Sequence, residues 1–333
     1  MQMFSRGLLC ALLLCLLLPW GSTHARPPII DMHLHAMITP RERPVSACPG
    51  NQPISYLAVD PVKAPANAET ITCPAPILSV TNADDLRART IAELRRAGVA
   101  RAVLIGSPDE LARWNRDAPG LFVPATVPKN LLPATLAQMR ELTLSSRVRV
   151  FAEVGPQYEG RRADDPEFDP FWALAEQIDI PVGIHLGEGL PLAGVAATGR
   201  YQAALTSPFQ LEPVLKKHPK LRIYVMHAAS PLTDEMIAML GTYPSLYVDV
   251  SANDWNMPRA QFYDQLKRLV DAGFSQRIMF GSDQTIFPQA VGIAVRTIKD
   301  APFLTRQQKR DILYNNAARF LRLTKEEIAA DHR

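Results

Sequence analysis

The chain has 333 residues, 47% of them apolar and 21% charged, which are the proportions of a soluble globular protein and exclude a fibrous or disordered one. Its 36 basic and 33 acidic residues leave a net charge of +3, too small to give nucleic acid or an anionic membrane an electrostatic hold. A chain of this length holds one large α/β domain or two smaller ones.

The first segment, "MQMFSRGLLCALLLCLLLPWGSTHA", has a short polar start with Arg6, an apolar stretch from Leu8 to Trp20 and small residues before Ala25. It reads as a secretory signal peptide over residues 1–25, cleaved near Ala25, since the apolar stretch is short for the roughly 20 residues of a spanning helix. The mature protein is then exported, periplasmic or secreted, with no stable membrane anchor. Cys10 and Cys15 leave with the leader, and Cys48 and Cys73 remain. Two thiols in an exported chain predict one disulfide.

From residue 26 onward apolar β-rich runs alternate with helical patterns. Strands are expected at 28–35, 100–106, 121–127, 148–155, 181–187, 221–228, 245–251 and 277–283. Each is short, rich in Val and Ile and mostly without polar alternation, as in parallel strands buried on both faces. Helices are expected between them, at 82–98, 168–179, 208–219, 232–240 and 259–273, and a last one at 305–323 opens with Thr305 and Gln308 at capping-box spacing. Eight such units predict a (β/α)8 TIM barrel forming a single domain over 26–333, in preference to an open doubly wound sheet. No glycine-rich phosphate loop follows the first strand. The long Pro-rich segment 37–82 follows that strand, which places it as an insertion on the barrel's C-terminal rim, where active sites form.

The histidines sharpen this picture. Of seven, His24, His218 and His332 fall in the leader, a polar turn and the tail. The others end predicted strands: His33 and His35 the first, His185 the fifth and His227 the sixth. In a strand, residues i and i+2 share a face, so His33 and His35 project together. Glu153 ends the fourth strand and Asp283 the eighth. Taken singly, each has a plainer reading: a packed histidine, or a turn aspartate capping a helix. Together on one barrel rim they would cost much desolvation without an ion between them. Imidazole with carboxylate oxygen suits Zn²⁺, with Mn²⁺ or Fe²⁺ less favoured.

The segments "DMHLHA", "IHLGEG", "VMHAAS", "FGSDQ" and "ILYNNAARFL" resemble the amidohydrolase superfamily, specifically its amidohydrolase-related (amidohydrolase 2) group, and the resemblance spans almost the whole mature chain. It implies a TIM-barrel metal-dependent hydrolase. It implies His33, His35, His185 and Asp283 as metal ligands, with His227 a further ligand or the group that polarises the substrate carbonyl. Many binuclear members carry a carboxylated Lys at the end of strand four; here Glu153 stands there, similar to TatD-type members, so one or two ions both fit.

The activity implied is hydrolysis of an amide, ester or lactone of a small molecule, with Asp283 as general base beside an ion that acidifies water. Glu188, Asn253 and Trp255 are weaker candidates for touching substrate, with Tyr158 and Gln284 beside them; packing or solvent-facing roles compete for each. Two other activities stay open: a decarboxylase of the same group, which would need Arg162 or Arg200 for a substrate carboxylate, and a TatD-like phosphodiesterase. A homo-oligomer is also left open.

Overall fold

Eight strands run parallel and follow one another around the sheet in chain order. They are β1 (Ile29–His35), β2 (Val99–Ile105), β3 (Phe122–Thr126), β4 (Val150–Val154), β5 (Val182–His185), β6 (Ile223–Met226), β7 (Tyr247–Asp249) and β8 (Ile278–Met279). The computed structural model describes residues 26–333 apart from 37–39, 61, 63–69, 129–130, 190–192 and 194–198; the expected leader, 1–25, lies outside the described residues. All eight expected strands are present, and the TIM barrel is nearly closed. The chain beyond β8 closes it: Met32 N–H donates to Phe280 O (2.9 Å), Asp283 N–H to His33 O (2.8 Å) and His35 N–H to Gln284 O (2.9 Å). The register of β1 on β2 slips between Asp31 and Leu34, a bulge of the kind that re-aims side chains beside active sites.

The helices follow their sequence signals. In α1 (Ala83–Ala97), Asn82 accepts the Asp85 N–H at 2.9 Å, and Gly98 ends the helix at φ 84°, a conformation glycine adopts without a Cβ penalty. Next come α2 (Pro108–Asp117), α3 (Pro133–Leu144), α4 (Asp169–Gln177), α5 (Glu212–Lys217), α6 (Thr233–Thr242), α7 (Asn253–Asn256), α8 (Arg259–Asp271) and α9 (Gln289–Asp300). The last expected helix opens on the Thr305–Gln308 capping box but is not one α-helix: a π-turn over Asp311–Asn315 separates Arg306–Arg310 from Asn316–Phe320. The wider turn has a use, because Ile312 O accepts the Phe280 N–H at 2.9 Å and Asn316 Nδ2 donates to Ile278 O at 2.7 Å. It stitches the C-terminus onto the seam beside β8.

The core has two layers. Ile30, Met32, Val103, Ile105, Val123, Val150, Tyr224, Met226 and Met279 form an inner cluster, joined by Tyr314, Ala317 and Phe320. Leu86, Leu94, Trp114, Phe151, Trp172, Leu266 and Ile298 belong to the cluster between strands and helices. Burial on both faces explains the missing polar alternation. Among the described residues no helix is long and apolar enough to cross a membrane.

The 37–82 insertion carries two short antiparallel strand pairs, Ser46–Ala47 with Ile77–Leu78 and Ser55–Tyr56 with Ile71–Thr72. Cys48 and Cys73 are joined in a disulfide, their Cα atoms 5.8 Å apart. Gln52 pairs with the Ala75 backbone through two 2.8 Å hydrogen bonds. Gly50 docks this strap on the segment after β7: its N–H donates to Trp255 O at 2.6 Å and its O accepts the Arg259 N–H at 2.8 Å. The approach is so close that a Cβ at Gly50 would lie 1.6 Å from Met257 O.

Candidate metal centre

The two histidines of β1 meet tip to tip, with Nε2 atoms 3.0 Å apart. Asp283, from the seam, puts Oδ1 3.4 Å from His33 Nε2 and 3.1 Å from His35 Nε2. Glu153, at the end of β4, bridges the group: Oε2 lies 3.5 Å from both His33 Nε2 and His35 Nε2. Its Oε1 lies 3.5 Å from His227 Nε2 and 3.7 Å from His185 Nε2. Glu153 thus joins the six expected residues into one cluster at the C-terminal mouth, with His33, His35 and Asp283 on one side and His185 and His227 on the other. His227 (φ 60°) and Asp283 (φ 47°) both sit in the left-handed backbone region, which costs a non-glycine residue about 1–3 kcal/mol and clusters at functional sites.

What holds the rings is a layer behind them. Ser251 Oγ donates to Asp249 Oδ1 at 2.6 Å and lies 2.8 Å from His33 Nδ1. His227 Nδ1 has Ser251 O at 3.1 Å, and Asp249 Oδ1 also accepts the His227 N–H at 2.9 Å. His185 Nδ1 meets Gln157 Oε1 at 3.1 Å. The Nδ1 atoms of His33, His185 and His227 thus each have an outward acceptor, which turns Nε2 toward the centre, as metal-binding histidines require. Asp249 and Ser251 on or after β7, and Gln157 after β4, carry this work, and neither Ser251 nor Gln157 has a distinguishing residue type in the sequence. The available signal was the period of β7, which puts Asp249 and Ser251 two apart.

Burial and charge oppose each other throughout the cluster. Burial disfavours the His33 imidazolium, but Asp283, Asp249 and Glu153 outweigh it and raise its pKa well above the usual value. Burial likewise disfavours the Glu153 and Asp283 carboxylates, yet the surrounding histidines hold both below the usual range. His185 goes the other way, lowered to about 4 by burial, with Glu153 pulling against it. It stays neutral, the state in which imidazole binds metal. Asp31, just before the pair, is raised to about 6 by burial, against its hydrogen bonds from Ser282 and His33. Burial keeps the Tyr158 phenol protonated, with Glu153 adding to the effect.

The weaker candidates divide. Tyr158 reaches the centre, its Oη 2.9 Å from His185 Nε2. Asn253 and Trp255 brace the site from behind: both are buried, Asn253 Nδ2 donates to His227 O at 3.0 Å, and Trp255 Nε1 donates to Ser282 O at 2.9 Å. Gln284 is buried and donates to Thr285 O at 2.8 Å. Glu188 is exposed, with Ser230 Oγ 3.4 Å away. Arg162 is bound by both oxygens of Asp164, at 2.7 and 2.9 Å, and Arg200 is exposed. His218, expected in a polar turn, is buried between Asp169 (3.1 Å) and Glu176 (3.5 Å).

The donor set fits a divalent cation. Ligand atoms held about 2.0–2.2 Å from one ion lie roughly 3 to 3.5 Å from one another, the spacing seen here. His33, His35 and Glu153 form one group of converging ligand atoms, and Glu153, His185 and His227 another. Four imidazoles and two carboxylates converging at the C-terminal mouth define a metal-dependent barrel enzyme, in which an ion would displace the proton that the carboxylates favour on His33.

The chain belongs to the amidohydrolase family: the amidohydrolase 2 model matches residues 30–323. It is an enzyme of the metal-dependent, amidohydrolase-related kind, as the sequence motifs implied. No curated protein matches it. Among solved structures, a probable 2-pyrone-4,6-dicarboxylic acid hydrolase from Acinetobacter baumannii, with citric acid bound, is 12% identical and has a TM-score of 0.57, over 89% of this chain and 99% of that one. A dihydroxybenzoic acid decarboxylase from a Polaromonas species, with manganese and 2-nitroresorcinol bound, is 14% identical with a TM-score of 0.54, over 73% of this chain and 90% of that one. An uncharacterised TIM-barrel protein from Bordetella bronchiseptica is 20% identical with a TM-score of 0.56, over 73% of this chain and 82% of that one. At these identities the likeness is one of fold.

Proposed function

We propose that this chain is an exported zinc-dependent hydrolase that opens an amide, ester or lactone bond of a small molecule. The observation that carries the reading is the cluster in which Glu153 bridges His33, His35 and Asp283 on one side to His185 and His227 on the other. These residues would hold the ion; Glu153, reaching both histidine groups, leaves room for one ion or two. A divalent ion supplies polarisation of the scissile carbonyl and acidification of water. The protein's own groups do the rest. Asp283 is ionised, partly open to the mouth, and placed to take a proton at Oδ1 and return it to the leaving atom. His227 Nε2 faces the same space, its ring fixed by Ser251 O, and orients the reacting carbonyl. Export is supported by the leader pattern and by the Cys48–Cys73 bridge, which oxidising compartments favour.

A decarboxylase reading draws on the Polaromonas neighbour and its manganese. It requires a cation for the substrate carboxylate; Arg162 is already engaged by Asp164, which leaves exposed Arg200 as the candidate. Hydrolysis, which asks for no such cation, is preferred. Asp283→Asn is expected to lower turnover roughly 10²–10⁴-fold while the fold persists. Oxygen from labelled water should enter the product. Release of carbon dioxide without that label, or full turnover by Asp283→Asn, would overturn the proposal.

A further inference from the structure

The short 3-10 turn after β4, Pro156–Glu159, grips one imidazole from both sides. Gln157 Oε1 meets His185 Nδ1 at 3.1 Å, and Tyr158 Oη meets His185 Nε2 at 2.9 Å. The direction of each bond is fixed by the surroundings. Gln157 Nε2 donates to Gly187 O (3.1 Å) and Thr206 Oγ1 (2.8 Å), and its Oε1 accepts the Gly187 N–H (3.3 Å), so the amide cannot be turned over without losing all three. Oε1 is therefore an acceptor and His185 Nδ1 carries the hydrogen. His185 Nε2 is left with a lone pair, and the Tyr158 O–H donates into it. That lone pair is also the one a metal ion would use. The Tyr158 ring lies against the imidazole, centroids 4.3 Å apart, yet the residue is 44% exposed, so its outer face is free to swing toward the mouth.

We infer that Tyr158 and a divalent ion are alternative partners of His185 Nε2, so that the phenol is a built-in competitor displaced into the barrel mouth as the ion enters. This rests on the metal-site reading above. The displaced hydroxyl keeps its hydrogen. Because Tyr158 competes for His185 Nε2, removing its hydroxyl should tighten metal binding. A residue that merely supports the site would, when removed, loosen it.

The test titrates Zn²⁺, and separately Mn²⁺, into chelator-stripped mature protein against a metal-sensitive dye. Wild type, Tyr158→Phe and His185→Ala are compared. Tyr158→Phe is expected to bind about two- to tenfold more tightly, the scale of one hydrogen bond. Tyrosine near-ultraviolet absorbance should shift when metal is added to wild type and lose that component in Tyr158→Phe. Equal or weaker binding by Tyr158→Phe overturns the inference while leaving the metal site standing. Absence of saturable binding by wild type, or binding untouched in His185→Ala, overturns the metal-site reading itself. Thermal melts of the stripped proteins confirm that the variants fold, so that a loss of affinity is not a loss of structure.

Discussion

Asp254 lies in α7, beyond the strand that orients the metal-facing histidines, yet neither of its carboxylate oxygens has a hydrogen-bond partner, and the residue is 1% exposed. Burial raises its pKa well above 3.8, Asp31 and Asp249 add repulsion, and Arg259 opposes them. A buried acid of this kind is protonated where the unfolded chain's is ionised. Its stabilisation is complete below about pH 4 and is lost as pH rises toward the folded-state pKa, because the native state then holds a proton the unfolded state has released. The slope is about 1.4 kcal/mol per pH unit for one proton. Asp254→Asn keeps the shape and removes the titration. It is expected to flatten the fall in stability as pH rises above about 4, measured by urea unfolding, and to be the more stable protein at the alkaline end. Parallel curves for the two proteins would show that Asp254 titrates normally. The sequence could not reveal this residue's condition. Asp254 in "SANDWN" looks like any loop aspartate, and only the packing of α7 against α8 and α9 in the folded chain isolates it. His33 and His35 were legible because their spacing alone puts them on one face.

The elements divide along the same line. Strands β1 to β8 could be read because each is a short apolar run between turn signals, and α1 because Asn82 and Gly98 mark both ends. The strand pairs of the insertion, two residues per strand, were not legible, since so short a run has no period to detect. Nor was the π-turn at Asp311–Asn315, which serves a carbonyl-to-Phe280 bond that exists only once the barrel seam is formed. The strap these pairs build has a consequence for the site. Its bridge spans 25 residues, which a chain-entropy estimate values at about 3 kcal/mol. Gly50 beside it is bonded to the Trp255 backbone, and the Trp255 indole holds Ser282, the neighbour of Asp283. Replacing both Cys48 and Cys73 by Ser should lower the melting temperature by several degrees and expose the strap to proteolysis. Gly50→Ala should also lower turnover with the bridge intact, because its Cβ would meet Met257 O at 1.6 Å. If Gly50→Ala matches wild type in turnover and melting, the strap does not brace the site.

At the scale of the whole molecule, the cluster joins the ends of β1, β4, β5 and β6 to the seam beyond β8, where three backbone bonds and the Ser282 N–H to Asp31 Oδ1 bond tie it to β1. An ion shared by His33, His35, Glu153, His185 and Asp283 would cross-link that seam to the opposite wall of the barrel. Since the unfolded chain scatters these residues from 33 to 283, the ion binds the native state alone and its binding energy becomes folding energy. At a free metal concentration a hundred times the dissociation constant the gain is about 2.7 kcal/mol. For a chain of this size that corresponds to a rise of roughly 5 °C or more in melting temperature. Calorimetry of chelator-stripped protein with and without Zn²⁺ or Mn²⁺ should show the rise in wild type and lose it in His33→Ala. Protons compete with the ion for the same nitrogens, and His33 holds its proton to a higher pH than an ordinary histidine. The stabilisation by metal should therefore shrink as pH falls, opposite in direction to the Asp254 effect, which separates the two on one set of melts. An equal rise in wild type and His33→Ala would place the stabilising ion somewhere other than this mouth.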